Sequence, residues 1–222
     1  MRAILFEAPR KIRLLDDVPA PKPKAGEVLV QCSYIALCGT NMGPYTGDGR
    51  WGKIQWPPPP GWLGHENIGT IVESDVADWP VGTHVLAHPE DYNGFAEYIV
   101  SKPVGLAKLP SDAPDLAALV VAQPLATVLR ALVRTGPVIR QRCAVVGQGP
   151  MGLVFTHLLG RMGASQVIGI DRIGAEATYV APPADEIVQA SAERFIEAGW
   201  RVVFAWAHAP TSIRSTYIAQ AV

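Results

Sequence analysis

The chain has 222 residues, 19 basic against 20 acidic side chains and 49% hydrophobic residues, enough for one large domain or two small ones with real cores. The near-neutral charge gives no electrostatic reason to expect nucleic acid or an anionic membrane as partner, and no apolar run reaches the ~20 residues that span a bilayer. Three cysteines, Cys32, Cys38 and Cys143, lie far apart and in odd number, a poor disulfide framework that fits a reducing, cytoplasmic setting.

The first hundred residues read as β structure. The apolar start Ala3–Phe6 follows Arg2 and is ended at once by Glu7 and Pro9, too short for a signal-peptide core. Runs rich in branched residues at 27–37, 67–73, 84–87 and 95–100 are separated by Pro and Gly clusters, a pattern of short strands in a barrel or sandwich. The proline run 57–60 cannot enter a sheet interior and is expected as an exposed loop. Trp51, Trp56 and Trp62 flank it and either pack on a hydrophobic substrate or cover a barrel end.

The character changes near Ser111. Residues 115–134 take a helical pattern in which Leu125, Val128, Leu129, Leu132 and Val133 share a face, with Pro124 as a break or as the start of a second helix. Gly136-Pro137 stops it. A short apolar strand over 143–146, a glycine loop, a helix over 150–162 and a strand over 167–170 then make one βαβ unit. Further on, 184–198 looks helical with Gly199 as its stop, and 201–207 looks like a buried strand. A strand at 177–181 would follow Asp171 too closely, because a parallel crossover needs about a dozen residues or more.

Two constellations carry chemistry. Gly147-Gln148-Gly149-Pro150-Met151-Gly152 fits G-x-G-x-x-G between a strand and a helix, with Asp171 about twenty residues on. Gly147 would make the tight turn, Gly149 would let a pyrophosphate approach, and Gly152 would allow helix-on-strand packing. The helix N-terminus favours phosphate. Asp171 would accept the ribose hydroxyls and repel a 2′-phosphate, favouring NAD over NADP, with Arg172 weakening that preference. The alternative is a structural glycine turn. The second constellation joins Cys38-Gly39-Thr40 with Gly64-His65-Glu66, whose thiolate, imidazole and carboxylate are all zinc ligands. A free cysteine is also commonly a small buried hydrophobe, and a histidine is often satisfied by backbone partners.

These motifs, with Asn67-Ile68-Gly69, Val81-Gly82-Thr83-His84-Val85 and Gly94-Phe95-Ala96-Glu97-Tyr98, occur in one order. Over roughly residues 1–171 their spacing resembles the zinc-dependent alcohol dehydrogenases of the medium-chain dehydrogenase/reductase superfamily. The resemblance implies an α/β plus β fold: a GroES-like β-barrel over 1–122, then a shortened Rossmann dinucleotide-binding domain over 123–222, with catalysis in the cleft between them. It implies Cys38 and His65 as zinc ligands, Glu66 as an adjacent carboxylate, and Thr40 as the group passing the substrate's proton to solvent. It further implies NAD, a small alcohol, polyol or carbonyl substrate, and a dimer through the nucleotide domain's edge strand.

The sequence departs from the family in several places. Gln123 stands in the third-ligand place, where an amide oxygen is a weaker donor than the usual acid or cysteine. Asn41 replaces an acid that would orient a ligand histidine. Gly43 stands where a relay histidine is common. No cysteine cluster follows His88, so one catalytic zinc and no structural zinc is expected. The second half of the nucleotide domain is short. Two other readings follow: a pseudoenzyme that binds nucleotide without turnover, and a zinc-free reductase of the same superfamily.

Overall fold

A computed structural model describes residues 1–47, 54–170 and 198–200, together with the backbone of three further strands at 186–188, 201–204 and 218–219. The chain divides into two units, Met1–Gln123 and Pro124–Val222.

In the first unit, β1 (Ala3–Ala8) and β2 (Lys11–Leu15) form an antiparallel hairpin. The main sheet has five strands: β3 (Val28–Ile35), β4 (Asn67–Ser74), β5 (His84–Ala87), β6 (Tyr98–Ser101) and β7 (Leu106–Lys108), in the order β6-β3-β4-β5-β7. Alternation explains why these segments are strands. In β3, Val28 and Val30 are wholly buried while Gln31 between strands' partners faces out. They join Ile71, Val85, Ala87 and Ile99 in a core of branched and small side chains. The β4–β5 register pairs Asn67 with Ala87, which fixes what stands at the end of each strand. Trp62 packs edge-on against Phe6, 6.4 Å between centroids, so this tryptophan covers the β unit's own core. Trp51 lies outside the described residues.

Helix α1 (Met42–Thr46) is a short turn after β3. A 3-10 turn at Ala117–Val121 leads directly into α2 (Ala122–Thr135), so Pro124 sits inside the first turn of α2, where its missing N–H costs nothing. The combined run Ala117–Thr135 has 19 residues and a mean hydropathy of 1.5, long and apolar enough by those measures to cross a membrane. Arg130 and Arg134 interrupt the run, and Val128 and Leu132 are buried in the core of the second unit, as in a core helix.

The second unit carries β8 (Arg142–Val146), α3 (Pro150–Arg161), β9 (Gln166–Ile170), β10 (Glu186–Val188), β11 (Arg201–Phe204) and β12 (Ile218–Ala219). Val128, Leu132, Val138, Cys143, Val145, Phe155, Leu159 and Val167 make one apolar cluster, joining α2 and α3 to the sheet. The strands β10-β9-β8-β11 are parallel, and β12 closes the sheet antiparallel to β11. Counting β8 first, this is the 3-2-1-4 order of a dinucleotide-binding half, with the order reversing at β8. One expectation is overturned. Glu186–Val188, read as part of a helix over 184–198, is a parallel strand in register with β9. Hydrogen bonding along β9 outweighs a short segment's helical spacing. The third strand therefore begins at Glu186, leaving 171–185 as a connection of adequate length. The strand considered at 177–181 lies outside the described residues.

Candidate functional site

Two loops of the β unit bring the metal-type donors together. After β3, Ala36 N–H donates to Glu66 O (2.9 Å), tying the chain just before Cys38 to the chain just before β4. Cys38 then caps a 3-10 turn at Gly39–Asn41. The Cys38 sulfur, an imidazole nitrogen of His65 and a Glu66 carboxylate oxygen all lie within 4.8 Å of one another. Cys38 and His65 are half-buried and Glu66 is buried. Thr40 Oγ1 lies 3.5 Å from His65 Nε2, so the hydroxyl shares the site.

The tautomer of His65 follows from its partner. Nδ1 lies 3.0 Å from Leu63 O, a carbonyl that can only accept, so Nδ1 carries a proton; the neutral ring keeps its Nε2 lone pair toward the site, and the charged ring donates from Nε2 to the Cys38 sulfur. Asn41, 3% exposed, reinforces this arrangement. Its Oδ1 accepts from Cys38 N–H (2.9 Å) and its Nδ2 donates to the same Leu63 O (2.9 Å). The change from an acid to Asn41 therefore does not leave His65 unsupported. A neutral amide both accepts and donates, linking the two loops through one carbonyl.

The electrostatics fit an anionic sulfur. The Cys38 thiol is held below its ordinary value by the hydrogen bond from His65, helped by the hydroxyl and amide of Thr40, against burial and the Glu66 charge. His65 is raised in turn, first by Cys38 and then by the Leu63 carbonyl, against burial. Burial instead pushes the Cys32 thiol up to about 12. In metal-free protein, iodoacetamide is expected to label Cys38 at pH values below the ordinary thiol value of 9.0, leaving Cys32 and the wholly buried Cys143 intact. Peptide mass spectrometry reads this directly, and comparable labelling of all three would contradict it.

Gln123 occupies the first turn of α2, half-buried. Sequence reasoning missed two residues. His88 and Tyr92, from the loop after β5, have ring centroids 6.4 and 6.2 Å from that of His65. Burial, and then the proximity of His65, lower the pKa of His88. Strand pairing accounts for the placement: Asn67 pairs with Ala87, so the loop after β5 and the segment before β4 leave the sheet at the same end.

The dinucleotide loop is formed as its glycines require. Gly147 adopts φ 92°, a left-handed conformation, and its N–H donates to Ile170 O (2.7 Å) across the strand ends. Around Gly149, the residue capping α3, a side chain would meet nothing within 4 Å, so the approach to the backbone is open. Gly152 is buried in the first turn. Pro150 opens α3 and Met151 packs on the core. Gln148 turns inward: Nε2 donates to Val145 O (3.0 Å), and Oε1 accepts from the buried Thr156 hydroxyl (3.2 Å). Its side chain braces the loop over Gly169. Asp171 and Arg172 lie outside the described residues.

Comparison with known proteins bears on the fold and the family. A family model for the alcohol dehydrogenase GroES-like domain matches residues 24–111. L-threonine 3-dehydrogenase of Bacillus licheniformis is 30% identical over 184 residues, covering 70% of this chain and 52% of that protein. Acryloyl-coenzyme A reductase of Sulfurisphaera tokodaii is 27% identical over 218 residues, covering 85% of this chain and 64% of that protein. The chain thus spans roughly half to two thirds of these relatives' length. Among solved structures, galactitol-1-phosphate dehydrogenase from Escherichia coli superposes with a TM-score of 0.75 at 22% identity, over 92% of this chain and 67% of that one. Alcohol dehydrogenase TADH from Thermus sp. ATN1 gives 0.73 at 24% identity, over 96% and 72%. At these identities the structural likeness speaks for the fold alone.

Proposed function

We infer that the chain belongs to the zinc-type alcohol dehydrogenases of the medium-chain dehydrogenase/reductase superfamily, and on that footing we propose an NAD-dependent, zinc-assisted oxidoreductase of a small alcohol or polyol, or of the matching carbonyl. The observation that carries this reading is the gathering of Cys38, His65 and Glu66 donors within 4.8 Å. A thiolate, a neutral imidazole nitrogen and a carboxylate oxygen form a donor set that suits zinc better than the hard cations, which prefer all-oxygen cages. The residues therefore fit the metal. Cys38 and His65 would hold it, with Glu66 as the adjacent carboxylate. Zinc bound there supplies a Lewis acid that lowers an alcohol's pKa in one direction and polarises a carbonyl in the other.

The chain's own residues do the remaining work. The Leu63 carbonyl and Asn41 fix the His65 ring so that Nε2, not Nδ1, faces the site. The Thr40 hydroxyl, beside Nε2, takes the proton from the substrate oxygen. Gly43 offers no imidazole to carry it further, so solvent is the next acceptor. The open backbone at Gly149 and the first turn of α3 would hold the pyrophosphate. Asp171 would accept the ribose hydroxyls and favour NAD over NADP. A nicotinamide held there would supply the hydride acceptor.

One observation favours a second substrate class within the same chemistry: a relative at 27% identity is an acryloyl-coenzyme A reductase, so an enoyl thioester belongs in the substrate panel. Two tests apply: thermal shift with NAD against NADP, and nicotinamide absorbance over alcohols, polyols and that thioester. Protection by NAD with turnover supports the proposal. Protection without any turnover supports the nucleotide-binding pseudoenzyme, and no protection by either nucleotide removes both.

A further inference from the structure

We propose that Gln148 is a positioning residue for the dinucleotide: with Thr156 and Gly169 it holds the glycine loop in its binding shape before a ligand arrives, and so sets how tightly the chain takes a pyrophosphate. The proposal rests on the dinucleotide reading above and deepens it. The motif asks nothing of position 148, because its steric demands fall on the glycines. Here that position carries an amide, and both ends of it are used. Nε2 donates to Val145 O (3.0 Å) in β8 and to Gly147 O (3.3 Å) in the loop, while Oε1 accepts from Thr156 Oγ1 (3.2 Å) in α3. The two carbonyls can only accept, which fixes which way round the amide lies. One side chain thus ties strand, loop and helix together.

The surrounding residues make room for that amide. Val145 pairs with Gly169 across β8 and β9, and a Cβ at Gly169 would stand 2.6 Å from Gln148 Cδ and 2.8 Å from its Oε1. The amide therefore lies over a residue of β9 that carries no side chain. Thr156 is 1% exposed, and its hydroxyl donates out of α3 to Gln148. The loop itself has little to hold it. Gly147 sits at φ 92°, and Gly149 caps α3 without a side-chain hydrogen bond. Glycines leave a free chain many conformations to lose, so fixing this one falls to Gln148. A loop already in shape spares the ligand that cost, because apparent affinity scales with the fraction of chains in the competent conformation.

Titration calorimetry with ADP-ribose, which carries the pyrophosphate and no nicotinamide, reads this out without turnover or metal. Gln148→Ala is expected to weaken ADP-ribose about 10-fold and to speed amide hydrogen exchange over 147–153 in the unliganded chain. Gly169→Ala should do the same, because its methyl group displaces the flexible end of Gln148 rather than backbone. In a Gln148→Ala chain that methyl group meets no amide, and adding Gly169→Ala should cost less than about 2-fold more. Thr156→Val, which removes the hydroxyl, should also lose affinity, and Thr156→Ser, which keeps it, should restore most of the loss. Wild-type affinity in Gln148→Ala, additive losses in the double variant, or equal losses from Thr156→Val and Thr156→Ser overturns the assignment. A wild-type chain that binds neither ADP-ribose nor NAD defeats the dinucleotide reading itself, and the assignment with it.

Discussion

Cys38→Ala is expected to lower kcat/KM for NAD-dependent alcohol oxidation by about 1,000-fold or more, well past the 10–100-fold cost of losing an outer partner. The reason lies in what Cys38 alone provides. It is the one sulfur donor in the cluster, and its thiolate is favoured by His65 and by both polar groups of Thr40. Removing it leaves one imidazole and one carboxylate, which bind zinc poorly without a third donor. The fold should tolerate the change, because Cys38 is half-buried on a loop and makes no part of either apolar core. Steady-state assays beside a thermal melt check both statements. Retained activity in a stable Cys38→Ala chain would support the zinc-free reductase.

Gly64→Ala is expected to be the costliest small substitution near the site. A Cβ there would lie 2.8 Å from Gly94 Cα and 2.5 Å from its carbonyl carbon, and would also clash with the Phe95 amide nitrogen. These are backbone atoms with little room to yield. Gly94 N–H donates to Gly64 O (3.1 Å), Phe95 N–H to Gly61 O (2.9 Å), and Ile4 N–H to Phe95 O (2.9 Å), so a shift breaks several bonds at once. Overpacking against fixed backbone should cost about 3 kcal/mol or more. For a chain of this size that lowers Tm by roughly 6–12 °C. Because His65 follows directly, zinc affinity should fall as well. Denaturant unfolding measures the first effect, and a wild-type midpoint in Gly64→Ala would refute it.

Much of this arrangement was legible in the sequence because local chemistry carried it. The alternating Val28 and Val30, the apolar run of β8, and the Gly147 turn each state their structure within a few residues. Cys38, His65 and Glu66 were nameable as donors from side-chain type, and their gathering needed only β3 and β4 to be neighbours. What was not legible depended on pairing between distant segments. His88 reads as one more loop residue until the β4–β5 pairing brings the loop after β5 beside His65. Asn41 reads as a lost charge until both ends of its amide are seen at work. Gln148 reads as part of a ligand loop, yet its side chain braces that loop from within. Residues 186–188 have helical spacing and become a strand because β9 offers an edge, a preference no short segment encodes alone.

The zinc content of the purified chain, measured by atomic emission against protein concentration, tests the central claim most directly. The expected result is one zinc per wild-type chain, with none in Cys38→Ala. A folded wild-type chain that stays free of zinc when equimolar zinc is supplied would contradict it.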